Sequence, residues 1–126
     1  MLVYAMSITE ELHGKLRGLL SELAENFEQV TQDNLVDNHT RSKLLTHAWD
    51  AVKWDLCILD LTDRPLSAGI RLAAIEVWRY NNFLEMPDCP ERASALAPAN
   101  HPLRVTIALR MAREELASYL DVSAPT

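Results

Sequence analysis

The segment AWDAVKWDLCILDLTDRP, residues 48–65, holds two tryptophans, a cysteine and four aspartates. Acids at that density could act as a general acid/base pair or hold a cation. The spacing argues against a joint site. Asp50, Asp55 and Asp60 are five residues apart, so on a helix they point about 140° apart. Asp50 and Asp60 read as solvated acids on a polar strip with Lys43, Thr46, Lys53 and Cys57. Asp55 is different, because it falls between two apolar faces, Leu45/Ala48/Val52/Leu56/Leu59 and Ala51/Trp54/Ile58/Leu61. An unpaired charge there would be costly. Three readings stand: a buried acid paired with Arg71, His13 or Arg104, an acid at the edge reaching water, or a functional acid tuned by its surroundings.

The other reactive residue types form no recognisable constellation. Glu10-x-x-His13 has the spacing by which di-iron bundles aim two ligands at one metal, but no second copy and no further inward glutamates accompany it. The stretch HGKLRG places Lys15 at +2 and Gly18 at +5 from His13, the wrong offsets for a phosphotransfer histidine. His39, His47 and His101 have no carboxylate and nucleophile at informative spacing, and Cys57 reads as a small inert helix residue. No phosphate-binding glycine loop, nucleophile elbow or Cys/His triad signature is present. The sequence therefore points to no catalytic residue, no metal and no cofactor.

The elements that would position these residues are helical. Ser7-Ile8-Thr9-Glu10 has the form of a capping box. Leu12, Leu16, Leu19, Leu23, Phe27 and Val30 follow it on a stripe about 80° wide. Residues 31–39 read as the connection. A second helix is expected from about Thr40 to Leu61, although Val52–Ile58 also alternates with period two as a strand would. TDRP breaks it, and a third helix runs from Pro65 to about Glu85. Residues 86–102 form a proline-punctuated loop with one short helical turn at Glu91–Leu96, and a fourth helix covers Leu103 to Leu120. The expected fold is all-α: one domain over 1–126, an antiparallel bundle of about four helices with a proline-rich loop before the last. Residues 1–6 and 121–126 are expected to fray.

Bulk properties narrow the function classes. A chain of 126 residues can bury a core without metal or disulfides. A formal charge of −6 with no Lys/Arg cluster argues against direct nucleic-acid binding. Cys57 and Cys89 lie far apart with no CxxC, the usage of a reducing compartment. MLVYAM is too short for a signal peptide's apolar region, and no apolar run is long enough to span a bilayer. A cytoplasmic location away from membranes is the expectation.

What remains is surplus apolar surface on helices two and three. Helix three carries one regular stripe, Leu66, Ile70, Ala73, Val77, Tyr80 and Leu84, and a second roughly opposite, Ala68, Leu72, Ile75 and Phe83. A bundle member needs only one, so either helix three is central and buries both stripes, or, the favoured expectation, the second meets another protein or a second copy. Trp78 lies between the stripes beside Arg71 and Asn82 as an anchor residue, and Arg71, Arg79 and Glu76 would form the rim. Gly14 and Gly18 form G-x-x-x-G opposite the leucine seam, a place where a second backbone could approach.

Trp54-x5-Asp60-Leu61, then Pro65, then Trp78 resembles the FlaF family of flagellar biosynthesis regulators, small helical proteins, over residues 54–78. Arg64-Pro65 and Ala68-Gly69 stand where that family has its Leu-Pro-x-x-Leu-Arg core, and the family's Asn is missing.

The functional expectation is a small non-enzymatic regulator, adaptor or inhibitor that binds protein through Leu72, Ile75, Phe83, Trp78, Arg71 and Arg79, or pairs with itself as a homodimer. Small phage-encoded inhibitors of a host system fit that description. One alternative is a ligand binder or enzyme built on an interior acid at Asp55. Another is an acidic mimic competing with nucleic acid for a basic protein.

Overall fold

A computed structural model describes residues 10–35, 41–62 and 67–122, with side chains for all of these except 57–62, 67 and 122. Among the described residues there are five helices and no strand: α1 Glu10–Leu35, α2 His47–Thr62, α3 Ser67–Glu85, α4 Pro90–Ala95 and α5 His101–Val122. The chain is all-α, as its leucine and alanine periodicity implies. The helix count exceeds the expected four because the single turn anticipated at Glu91–Leu96 is a short helix in its own right. Pro90 sits in its first turn, and the Cys89 Sγ caps it by accepting from the Arg92 amide at 3.4 Å. The strand alternative for 52–58 is removed, since α2 runs through it. The capping box at Ser7 and the expected frayed residues 1–6 lie outside the described residues.

The leucine seam of α1 does what its spacing requires. Leu16, Leu19, Leu23 and Val30 are buried, and Leu12 and Phe27 pack against them partly covered. Ile70, Ala73, Val77 and Tyr80 of α3 join Val105, Leu109, Ala112, Leu116 and Tyr119 of α5 in the same core. Contacts along each pair show how the helices run. Phe27 meets Arg113, while His13 and Arg17 share a pocket with Ala117 and Asp121, so α1 and α5 run in opposite directions. A side chain added at Gly69 would meet Glu115, while Glu76 and Phe83 touch His101, so α3 and α5 also oppose.

The second helix departs from expectation at its start. It begins at His47 rather than near Thr40, and residues 41–46 are not helical. The cause lies in polar side chains of α1 and α3 that offer this backbone better partners than a helix would. The Asn26 Oδ1 accepts from the Leu45 amide at 2.8 Å, and its Nδ2 donates to the Leu45 carbonyl at 2.9 Å. Asn81 does the same to Leu44, at 2.7 and 3.0 Å. The Ser42 amide donates to Asp33, and Arg41 donates to Asn34 and to the Tyr80 hydroxyl. The Glu22 carboxylate then accepts from the Ala48 and Trp49 amides at 2.8 and 3.1 Å, capping α2 from outside its own sequence. Residues 41–46 are thus a strap held by its backbone, with Leu44 as its buried side chain.

Candidate protein-interaction surface

On α3 the two stripes separate cleanly. Ile70, Ala73, Val77 and Tyr80 are core, whereas Leu72 and Ile75 keep 51% and 48% of their surface exposed. Phe83 is only partly exposed, because it packs edge-on against the His101 ring at 5.2 Å between centroids. Trp78 is 64% exposed, but at 100° per residue it stands about 60° from Ile75 and 120° from Leu72, on the side of α3 turned away from α5. Arg71 and Arg79 are exposed beside the row. Glu76 is not a rim residue: it is buried, at 7%.

The partners of Glu76 satisfy it only in part, since its Oε2 is buried without a hydrogen-bond partner among the described residues. The His101 Nε2 bonds the Glu76 carbonyl at 3.0 Å, so Nε2 carries the proton. Its Nδ1 lies 3.6 Å from Glu76 Oε2, and Arg79 reaches Oε1 at 3.4 Å. Tyr80 and Phe83 enclose the same ring. This cluster locks the first turn of α5 to the second half of α3, and so fixes the relative height of their outer faces.

Those outer faces together form the surface. On α5, Leu103, Ile107 and Met111 are 47%, 42% and 51% exposed, at spacing i, i+4, i+8. Gly69 against Glu115 and Phe83 against His101 set the register of the two helices, which brings Met111 and Ile107 within about one turn of level with Leu72 and Ile75. All four lie on the flanks that the two neighbouring helices turn outward. The Arg104 side chain, exposed, lies at the end of this ridge nearest Arg79 and makes no hydrogen bond or ion pair among the described residues. Glu114 and Glu115 mark the other end. The α5 half has its own sequence signal, the i, i+4, i+8 spacing of Leu103, Ile107 and Met111, which the sequence expectations do not include.

The remaining candidates fall elsewhere. Asp55 is not a buried acid. Its side chain is 37% exposed and pairs with Lys15 at 3.4 Å, rather than with Arg71, His13 or Arg104. Lys15, one turn beyond Glu11 on α1, reaches both carboxylates. Asp50 pairs with Lys53 on the surface, as a solvated acid would. The His13 Nε2 is buried without a hydrogen-bond partner among the described residues. His47 is exposed at the start of α2. Gly14 and Gly18 face open space, with nothing within 4 Å of an added Cβ. No group of three or more His, Cys, Asp or Glu able to hold a metal occurs among the described residues. No helix among them is long and apolar enough to cross a membrane. Cys57, Asp60 and His39 lie outside the described side chains.

No protein-family model, curated protein or solved structure matches this chain.

Proposed function

We propose that this chain is a small non-enzymatic protein-binding module, of the kind that serves as a regulator, adaptor or inhibitor, and that it works through the ridge formed by α3 and α5. The observation that carries the reading is the exposure of Leu72, Ile75, Ile107 and Met111 on neighbouring flanks of two helices whose opposite faces are fully packed. Isolated exposed apolar residues are ordinary, whereas a contiguous patch rimmed by charge marks association surfaces. Arginine at one end and glutamate at the other give the patch the polar rim that such interfaces carry. The helices act as an antiparallel scaffold, held rigid beneath the ridge by Glu76 and His101. A ligand-binding or catalytic role at Asp55 would require a carboxylate that is instead engaged with Lys15.

The test compares wild type with a Leu72→Asp/Ile75→Asp variant in affinity capture from source lysate. Both residues are half-exposed, so the variant is expected to keep its helical content and unfold within about 1–2 kcal/mol of wild type. Capture of a near-stoichiometric polypeptide by wild type and not by the folded variant supports the reading. Equal capture, or collapse of the variant's fold, counts against it.

A further inference from the structure

Two buried acceptors face each other where α3 meets the start of α5. The His101 ring donates from Nε2 to the Glu76 carbonyl at 3.0 Å, which commits the one proton of a neutral imidazole to that nitrogen. Nδ1 is then a bare lone pair, and it lies 3.6 Å from Glu76 Oε2. Oε2 is itself buried without a hydrogen-bond partner among the described residues. Both residues keep only 7% of their surface exposed, so neither unmet acceptor is relieved by bulk water. Two such atoms are costly at a buried place. A single proton on Nδ1 satisfies both at once.

We propose that the folded chain holds a second proton on the His101 ring, between Nδ1 and Glu76 Oε2, and that this proton latches α5 to α3. When it leaves, the lone pairs repel and the ring gives up its seat. The structure offers the ring a place to go. An open cleft of about 510 Å³ lies beside it, lined by Asn100, Arg104 and Ile107 among others. Turned into that cleft, the imidazole meets water and Glu76 is left to Arg79. Nε2 leaves the Glu76 carbonyl in the same movement, so the first turn of α5 loses its tie to the second half of α3. Protonation of histidine works interfaces in this way elsewhere. The latch stands apart from the reading of the ridge, since it concerns the joint beneath it.

The neighbouring charges supply no substitute for the proton. On α3, Arg79 reaches the other carboxylate oxygen, Oε1, at 3.4 Å and leaves Oε2 open. The Tyr80 hydroxyl, whose ring lies stacked with His101, is engaged by Arg41 of the strap. Arg92 of α4 donates to the Phe83 and Leu84 carbonyls. Arg104 of α5 lines the cleft. Arg79 and Arg104 oppose an added positive charge, but from exposed positions, where water weakens the repulsion. The unmet acceptors, rather than net charge, call for the proton. It belongs to the pair, so the stabilisation it brings is complete at acidic pH and is lost as pH rises past its release.

The experiment is urea unfolding of the full chain between about pH 5 and 8, for wild type and Glu76→Gln, with nitrogen-15 spectra of the histidine rings. Glutamine keeps the shape of glutamate, and its amide donates to Nδ1, which satisfies a neutral ring. The expected result is two stability curves that cross. Wild type is the more stable at the acid end and the less stable at the alkaline end, with the ratio of their folding constants changing about tenfold between the two. Both ring nitrogens of His101 carry protons in wild type at the acid end. Parallel curves overturn the proposal, and so does a folded wild type whose Nδ1 is bare at that end. If Glu76→Gln does not fold, wild type alone decides. Loss of the Nδ1 proton must then coincide with new ring contacts to Asn100 and Ile107, and a proton lost from an unmoved ring, or never lost, overturns the latch.

Discussion

Asn26 and Asn81, on different helices, grip adjacent peptide units of one strap: Asn26 bonds both backbone groups of Leu45, and Asn81 bonds both of Leu44. Each amide side chain acts as a one-residue piece of sheet edge, supplying the donor and acceptor that a neighbouring strand would have supplied. Truncating either leaves a carbonyl and an N–H without partners. Asn81→Ala is expected to destabilise the fold by about 2–4 kcal/mol, read as a lower urea midpoint with an unchanged slope. A loss under about 0.5 kcal/mol would mean water replaces the amide at no cost.

Glu22 makes a different prediction, because it caps a helix whose first amides lie 26 and 27 residues further along the chain rather than its own turn. Its two oxygens take the Ala48 and Trp49 amides. Glu22→Ala should cost about 1–2 kcal/mol and raise hydrogen exchange at the first turn of α2 while leaving the middle of α5 protected. Uniform loss of protection through every helix would show instead that the cap is inseparable from the global fold.

Tyr80 supplies the pH dependence. Burial pushes its hydroxyl above the usual tyrosine range, against the hydrogen bond from Arg41, which acts to lower it. A raised folded value means the folded chain holds this proton more tightly than the unfolded chain. The contribution is therefore complete below the unfolded value, about pH 10, and is lost as pH rises through the folded value. Wild type should lose stability steeply above about pH 10, and Tyr80→Phe should lose less over the same interval. Parallel curves for the two proteins would remove Tyr80 as the source.

The glycines of α1 test whether its outer face is free. Nothing lies within 4 Å of a Cβ at Gly14 or Gly18, so replacing both with alanine should stabilise the chain by about 1–2 kcal/mol in total through helix propensity. Destabilisation, or a change in oligomeric state, would mean that a second backbone does approach there.

Some of this was legible in the residues and some was not, for physical reasons. Leu16, Leu19, Leu23 and Val30 announce a helix and its buried face because burial imposes a 3.6-residue period. The second stripe of α3 was visible in the same way, and Leu72 and Ile75 lie exposed where it placed them. The strap was not visible. Residues 41–46 carry no helix-breaking residue, and their conformation is set by Asn26, Asp33 and Asn81, distant in sequence and polar, which a hydrophobic pattern passes over. Glu22, Asn26 and Asp33 do recur along one edge of the α1 seam. That buried polar row was the one local sign that α1 holds something other than side chains. The partner of Asp55 could not be read from the sequence, because Lys15 is forty residues away and reaches it along its flexible stem.

The most direct test of the α3–α5 ridge as an association surface is site-specific photocross-linking in living source cells, with a benzophenone side chain at position 75 and, as the comparison, at position 18 on the open face of α1. The account predicts discrete adducts from position 75, to a second copy or to another polypeptide, that disappear when Ile107→Asp is added, and none from position 18. The same sparse, featureless pattern from both positions would contradict it.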